Sequence, residues 1–148
     1  MTGEFDNRAR LALYEGFVEE GEPPSAAELA ERLDASAEET DAALQRLHDQ
    51  GVIVLMPGTT EVWMAPPLSA VATGFRVETA RGEFWGNCVW DGLGVVSMLG
   101  GDGTVETRCP DCTEPMTLRV ENGQLVQGDG LAHFAVPAAR WWDNIGFT

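Results

Sequence analysis

The feature that most constrains the fold is a change of period near Gly51. Before it, apolar residues recur at helical spacing. After it, they come in short runs separated by turn residues. A chain whose helices precede its strands, rather than alternating with them, reads as α+β. In "NRARLALYEGFVEEG", Leu11, Leu13, Tyr14, Phe17 and Val18 mark the first helix. "EPPS" interrupts it, and Ser25 suits the cap of "AAELAERLD". In "SAEETDAALQRLHDQG", Ser36 and Glu39 fit a capping box, Ala42, Leu44 and Leu47 an apolar face, and Gly51 a helix end. "VIVLM" and "EVWMA", joined by "PGTT", read as two strands. Three helices and a hairpin make a winged-helix-like unit over residues 1–66. "APPLSA" reads as the linker to a second unit over residues 67–148.

In the second unit, "GFRVETARGEFWGN" reads as strand, turn, strand, and "CVWDGLGVVSML" as a short apolar helix ended by "GGDG". "TVETRC" and "MTLRVE" are strands around "PDCTEP". "LVQ" and "AHFAVP" are expected as further strands, and "AARWWDNIGFT" starts helically.

A winged-helix pattern raises the question of DNA. The formal net charge is -15, there is no lysine, and all nine basic residues are arginines. The third helix carries Glu38, Glu39, Asp41 and Asp49 against Arg46 alone, so phosphates would repel it. The unit reads as an adaptor or packing domain, and no nucleic-acid partner is expected. No apolar run is long enough to span a bilayer, and the first residues lack a signal-peptide pattern. A cytoplasmic protein with no membrane partner and with reduced cysteines is expected.

The chemistry concentrates in "FWGNCVWDGLG". Cys88 starts the apolar helix, and Asp91 lies three residues on, on the same face. A helix N-terminus lowers a thiol's pKa, whereas a nearby carboxylate raises it. The pair can share a proton, which gives a soft nucleophile beside an acid. The plainer alternative is a buried structural cysteine with an aspartate capping its helix, and the spacing alone favours that alternative. "RCPDC" sets Cys109 and Cys112 at C-x-x-C spacing, which suits zinc, copper, mercury or redox chemistry. Only Cys88, His48 and His133 could add ligands, and two unremarkable turn cysteines are the alternative. His48 and His133 read as structural, Trp141 and Trp142 as core or pocket wall, and Glu19, Glu20 and Glu22 as a solvated helix end.

The segments "FRVETARGEFWGNCVWDGLG", "TVETRCPDCTEPMTLRV" and "HFAVPAARWWDNIGFT", in this order, resemble the organomercurial (alkylmercury) lyases. The resemblance covers most of the second half and is much weaker in the helical part. It implies a helical domain joined to a mixed β-sheet domain with short helices. It implies that Cys88 is the thiol that attacks mercury. Asp91 accepts that thiol's proton and delivers it to the departing carbon. Trp85 and Trp90 are expected in the substrate pocket, and Cys88, Cys109 and Cys112 as the sulfurs that could meet the metal. The implied reaction is protonolysis of a carbon–mercury bond to a hydrocarbon and bound Hg(II). The substrate is a small organomercurial, no resident cofactor is required, and external thiols or a mercury-accepting protein are the partners.

One departure from the family pattern bears on catalysis. The family's second catalytic cysteine follows the segment that here reads "WWDNIGFT", and the sequence stops at Thr148. Cys109 falls on a position the family uses structurally, and Cys112 is not a family position. The readings left open are a longer natural chain, a second role taken by Cys109 or Cys112, and a member without lyase activity. A non-catalytic thiol-based metal binder, a metal-sensing winged-helix regulator and an enzyme for a non-mercurial substrate are the competing functions.

Overall fold

The computed structural model describes residues 3–146. Phe147 and Thr148, the end of the last predicted segment, lie outside the described residues. Helices α1 (Glu4–Glu20), α2 (Ala26–Leu33) and α3 (Ala37–Asp49) come first. The short strands β1 (Val54–Leu55), β2 (Val62–Ala65) and β3 (Leu68–Ser69) then form a three-stranded sheet in that order. The second part holds β4 (Arg76–Thr79), β5 (Gly82–Trp85), α4 (Val89–Met98), β6 (Gly103–Arg108), β7 (Pro115–Glu121) and β8 (Gln124–Gln127). A 3-10 helix, Ala138–Asn144, follows.

The α+β class holds, and every pairing between named strands is antiparallel. The larger sheet, in the order β5-β4-β6-β7-β8, is therefore not mixed as the resemblance implied. Its neighbours in sequence are joined by tight turns, or by α4 between β5 and β6, and an antiparallel ladder needs no longer crossover.

Local signals explain the helices, with some differences of detail. α1 buries Ala9, Leu13 and Phe17, spaced by four, while Leu11 is 56% exposed on the opposite side. The reciprocal capping box forms at Ser25 and Glu28; Ser36 accepts from the Glu39 backbone N–H without the return bond. α3 buries Ala43, Leu44 and Leu47, and Ala42 faces out. The stretch read as a linker is structural. Leu68 and Ser69 pair with Ala65 and Met64, and the Tyr14 hydroxyl donates to the Pro66 carbonyl at 2.8 Å. One apolar cluster runs from Ala9, Leu13 and Phe17 through Leu68 to Val77, Phe84, Val95, Val105 and Leu118. Each of the larger side chains contributes about 1.5–3 kcal/mol by leaving water.

Two glycines let α4 sit against the larger sheet. A Cβ on Gly86 would lie 2.5 Å from the Gly92 backbone nitrogen, and one on Gly92 would lie 2.9 Å from Val105 Cγ1. These residues allow the end of β5 to touch the first turn of α4, and α4 to press on β6. That contact puts Cys88 at the helix start.

"AHFAVP" is not a strand. After the exposed edge strand β8, Gly128 and Gly130 take positive φ, and the chain leaves the sheet. The segment runs instead to the cavity beside Cys88.

Candidate active site

Cys88 is the N-cap of α4, with extended backbone at φ -148°. Its Sγ accepts from the Asp91 backbone N–H at 3.4 Å, the place that a serine or aspartate oxygen usually takes. The helix start thus holds the sulfur in a fixed direction.

Cys88 lines a cavity of about 270 Å³ with Asn87, Phe75, His133, Phe134 and Trp141. Phe134 and Trp141 pack with ring centroids 5.2 Å apart, and the Trp141 indole N–H donates to the Val136 carbonyl at 2.8 Å. The walls are mainly apolar and include the rings of Phe75, Phe134 and Trp141, so the cavity suits a small apolar group next to a thiol. A larger cleft, about 510 Å³, opens alongside between Phe75, Arg76, Trp85, Arg108 and Pro115. It contains no thiol and meets the Cys88 cavity at Phe75.

The Asp91 carboxylate lies behind this wall. Its Oδ2 accepts from Asn87 Nδ2 at 2.9 Å, and Asn87 itself lines the cavity. Asn87 Nδ2 also faces the Pro67 and Leu68 carbonyls, each at 3.4 Å. With three acceptors around the amide nitrogen, its orientation is settled by chemistry. Asn87 Oδ1 is buried without a partner among the described residues.

Burial raises the Cys88 pKa; the Asp91 backbone N–H lowers it and the Asp91 charge adds to the rise. The helix-start effect is therefore outweighed, and the thiol is favoured in its protonated form. Burial also raises the Asp91 pKa, against the Asn87 hydrogen bond. Burial pushes the Tyr14 phenol up to about 12, with Arg10 opposing and the Asp91 carboxylate adding to the rise. Burial thus shifts all three groups towards their neutral forms.

The structure brings together only part of the predicted set. Cys88 and Asp91 are joined through the first turn of α4. Trp85 alternates with buried Phe84 along β5 and lines the larger cleft. Trp90, one residue further around α4 than Val89, is 64% exposed. Neither tryptophan is among the residues lining the Cys88 cavity. Cys109 and Cys112 sit in the turn between β6 and β7, outside that cavity as well. Sequence reasoning missed Asn87, Phe75 and the cavity role of His133 and Phe134. Only the position of Asn87 directly before the cysteine could have pointed to it. Trp141 is pocket wall, as one of its two readings had it. Among the described residues, no helix is long and apolar enough to cross a membrane.

Fold and site together define an α+β protein with a thiol at a helix start, next to a half-buried carboxylate and an apolar cavity. The family model of the alkylmercury lyases, MerB, matches residues 68–148, more than half of the sequence. The chain belongs to the alkylmercury lyase family. A solved structure, the mercury-bound form of MerB2, matches with a TM-score of 0.62 at 17% identity. That match covers 84% of this chain and 66% of the other, so the chain spans just under two thirds of that structure's length. At this identity the likeness concerns the fold. No curated protein matches the sequence.

Proposed function

We propose that the protein cleaves carbon–mercury bonds by protonolysis, with Cys88 as the nucleophile and Asp91 as the proton shuttle. The observation that carries this reading is the Cys88 thiol, held at the start of α4 by the Asp91 N–H and open to an apolar cavity. Family membership supports it.

An organomercurial enters as R–Hg–SR′, its carbon group against Phe75, Phe134 and Trp141. Cys88 sulfur bonds to mercury as its proton passes to the Asp91 carboxylate. The protonated acid then donates to the carbon as the carbon–mercury bond breaks. The balance is R–Hg–SR′ + Cys88–SH → R–H + Cys88–S–Hg–SR′. A raised Asp91 pKa suits a group that must hold a proton briefly and release it to carbon. Asn87 is a positioning residue: it holds Asp91 until substrate draws the carboxylate to the cavity.

Neither Cys109 nor Cys112 lines the cavity, so among residues 3–146 no second thiol faces the mercury, and free thiol can supply that sulfur. Soft mercury takes it readily. The same observation favours a second reading, in which the protein binds organomercurials without cleaving them.

The test incubates the 148-residue chain, Cys88→Ser and Asp91→Asn with phenylmercury and measures bound mercury and released benzene separately. Wild type is expected to release benzene at a rate first order in thiol before saturating. Cys88→Ser is expected to lose both cavity binding and turnover. Asp91→Asn is expected to bind and to lose roughly 100-fold or more in turnover, because an amide is a poor proton donor. Wild-type binding without benzene at any thiol concentration would establish the binder instead. Equal benzene release from wild type and Asp91→Asn would remove the carboxylate from the mechanism.

A further inference from the structure

The hairpin turn between β6 and β7 carries two cysteines that the proposed reaction does not use. Arg108 pairs with Pro115, so the turn comprises the six residues from Cys109 to Glu114. It is closed by the Cys109 N–H donating to the Glu114 carbonyl and the Thr113 N–H donating to the Cys109 carbonyl, both at 2.9 Å. The Arg108 guanidinium donates to the Thr113 carbonyl at 3.1 Å. Thr113 takes φ +60°, a conformation that costs a β-branched residue and is kept here by these bonds.

Both thiols are free, Cys109 half-buried and Cys112 exposed. The Cys112 and Asp111 backbone N–H groups and the Cys112 thiol hold the Cys109 thiol below its ordinary pKa. The turn thus sets two free thiols three residues apart in one closed loop at the surface. A cysteine kept only for packing has no need of this, since neither side chain belongs to the apolar core.

We propose that Cys109 and Cys112 form a second, surface site that holds one soft cation of the Hg(II) type between two thiolates, apart from the Cys88 cavity. No group of three or more His, Cys, Asp or Glu side chains among the described residues could hold a metal ion. The pair therefore lacks the further donors of a closed zinc site, and a cation satisfied by two sulfurs is a soft one. Binding converts two thiols and Hg²⁺ into Cys109–S–Hg–S–Cys112 and two protons, with no change of oxidation state. Backbone N–H groups at the Cys109 sulfur favour its charged form. Strands β5 and β6 run the same way with β4 between them, Trp85 and Glu106 both opposite Arg76. Cys88 follows Trp85 by three residues and Cys109 follows Glu106 by three. The two sites share one end of the sheet, about two strand spacings, roughly 10 Å, apart where the strands end.

The site does not depend on lyase activity, and the test removes Cys88. Reduced Cys88→Ser protein is titrated with mercuric chloride in excess glutathione, desalted, and weighed intact by mass spectrometry. One equivalent is expected to remain bound. Cys88→Ser with Cys112→Ser is expected to retain at least tenfold less, because a lone thiol has no intramolecular partner to compete with glutathione. Cys112 is exposed, so its serine variant tests binding without disturbing the core, and a matching thermal melt verifies this. Cys88→Ser with Cys109→Ser is expected to behave alike. No retained mercury in Cys88→Ser would overturn the proposal, as would retention unchanged by either second substitution.

Discussion

Asp91 costs the fold stability at the place where the proposed reaction needs a carboxyl group. Its folded pKa lies above the ordinary aspartate value because burial penalises the carboxylate. Between the unfolded and folded pKa values the folded state holds the extra proton. Stability therefore falls as pH rises through that window, and the loss is complete above the folded pKa. Asp91→Asn keeps the shape and removes the charge. The variant is expected to gain stability relative to wild type as pH rises through the window, with a constant difference above it. Thermal melts between pH 3 and pH 8 check this, and a pH-independent difference would contradict it. Asp91→Asn is thus expected to be more stable than wild type at neutral pH.

At the scale of elements, α4 depends on the space that two glycines leave. Gly86→Ala would drive a methyl into the backbone of Gly92, which has no flexible end to move. Overpacking of this kind costs roughly 3 kcal/mol, or about 10 °C of melting temperature for a chain of this size. The loss is expected in a thermal melt, together with weaker mercury binding at Cys88, since the helix start moves with the clash. α3 invites a different prediction. Its one arginine, Arg46, is held by Asp6 of α1, with Nη2 2.6 Å from Oδ1. That leaves an acidic helix surface. No duplex DNA binding is expected at physiological salt; a nanomolar site recovered from a pool of random duplexes would refute this.

Across the whole molecule, the Asp6–Arg46 pair ties the first helix to the third at the edge of the continuous core. Asp6 is 3% exposed, and the Arg46 guanidinium holds its carboxyl below the ordinary range. The sign is opposite to that of Asp91. A depressed pKa contributes stability that is fully present above the unfolded value, about 3.9, and is lost as pH falls through the folded value. Asp6→Asn is therefore expected to be less stable than wild type above pH 5, with the gap closing towards pH 3. Urea melts at the two pH values measure it, and a gap that does not narrow at the lower pH would show that the pair acts through packing alone.

The sequence by itself determined what depends on neighbours along the chain. Helical period before Gly51, Ser25 at a helix start, the strand-turn-strand of "FRVETARGEFW", and Cys88 opening an apolar helix with Asp91 three residues on are all local, and all are present. Tertiary structure decided what depends on which faces meet. Trp85 and Trp90 flank Cys88 in sequence, yet strand alternation and helix rotation carry both away from its cavity. Phe75, Phe134 and Trp141, distant in sequence, form the walls instead. "AHFAVP" has the composition of a strand, but β8 is the last strand of the sheet and the segment turns back over the thiol. The protonation of Cys88 went the same way: the sequence sets a helix start against a nearby carboxylate, and burial, which no short motif encodes, is the largest cause that favours the neutral thiol.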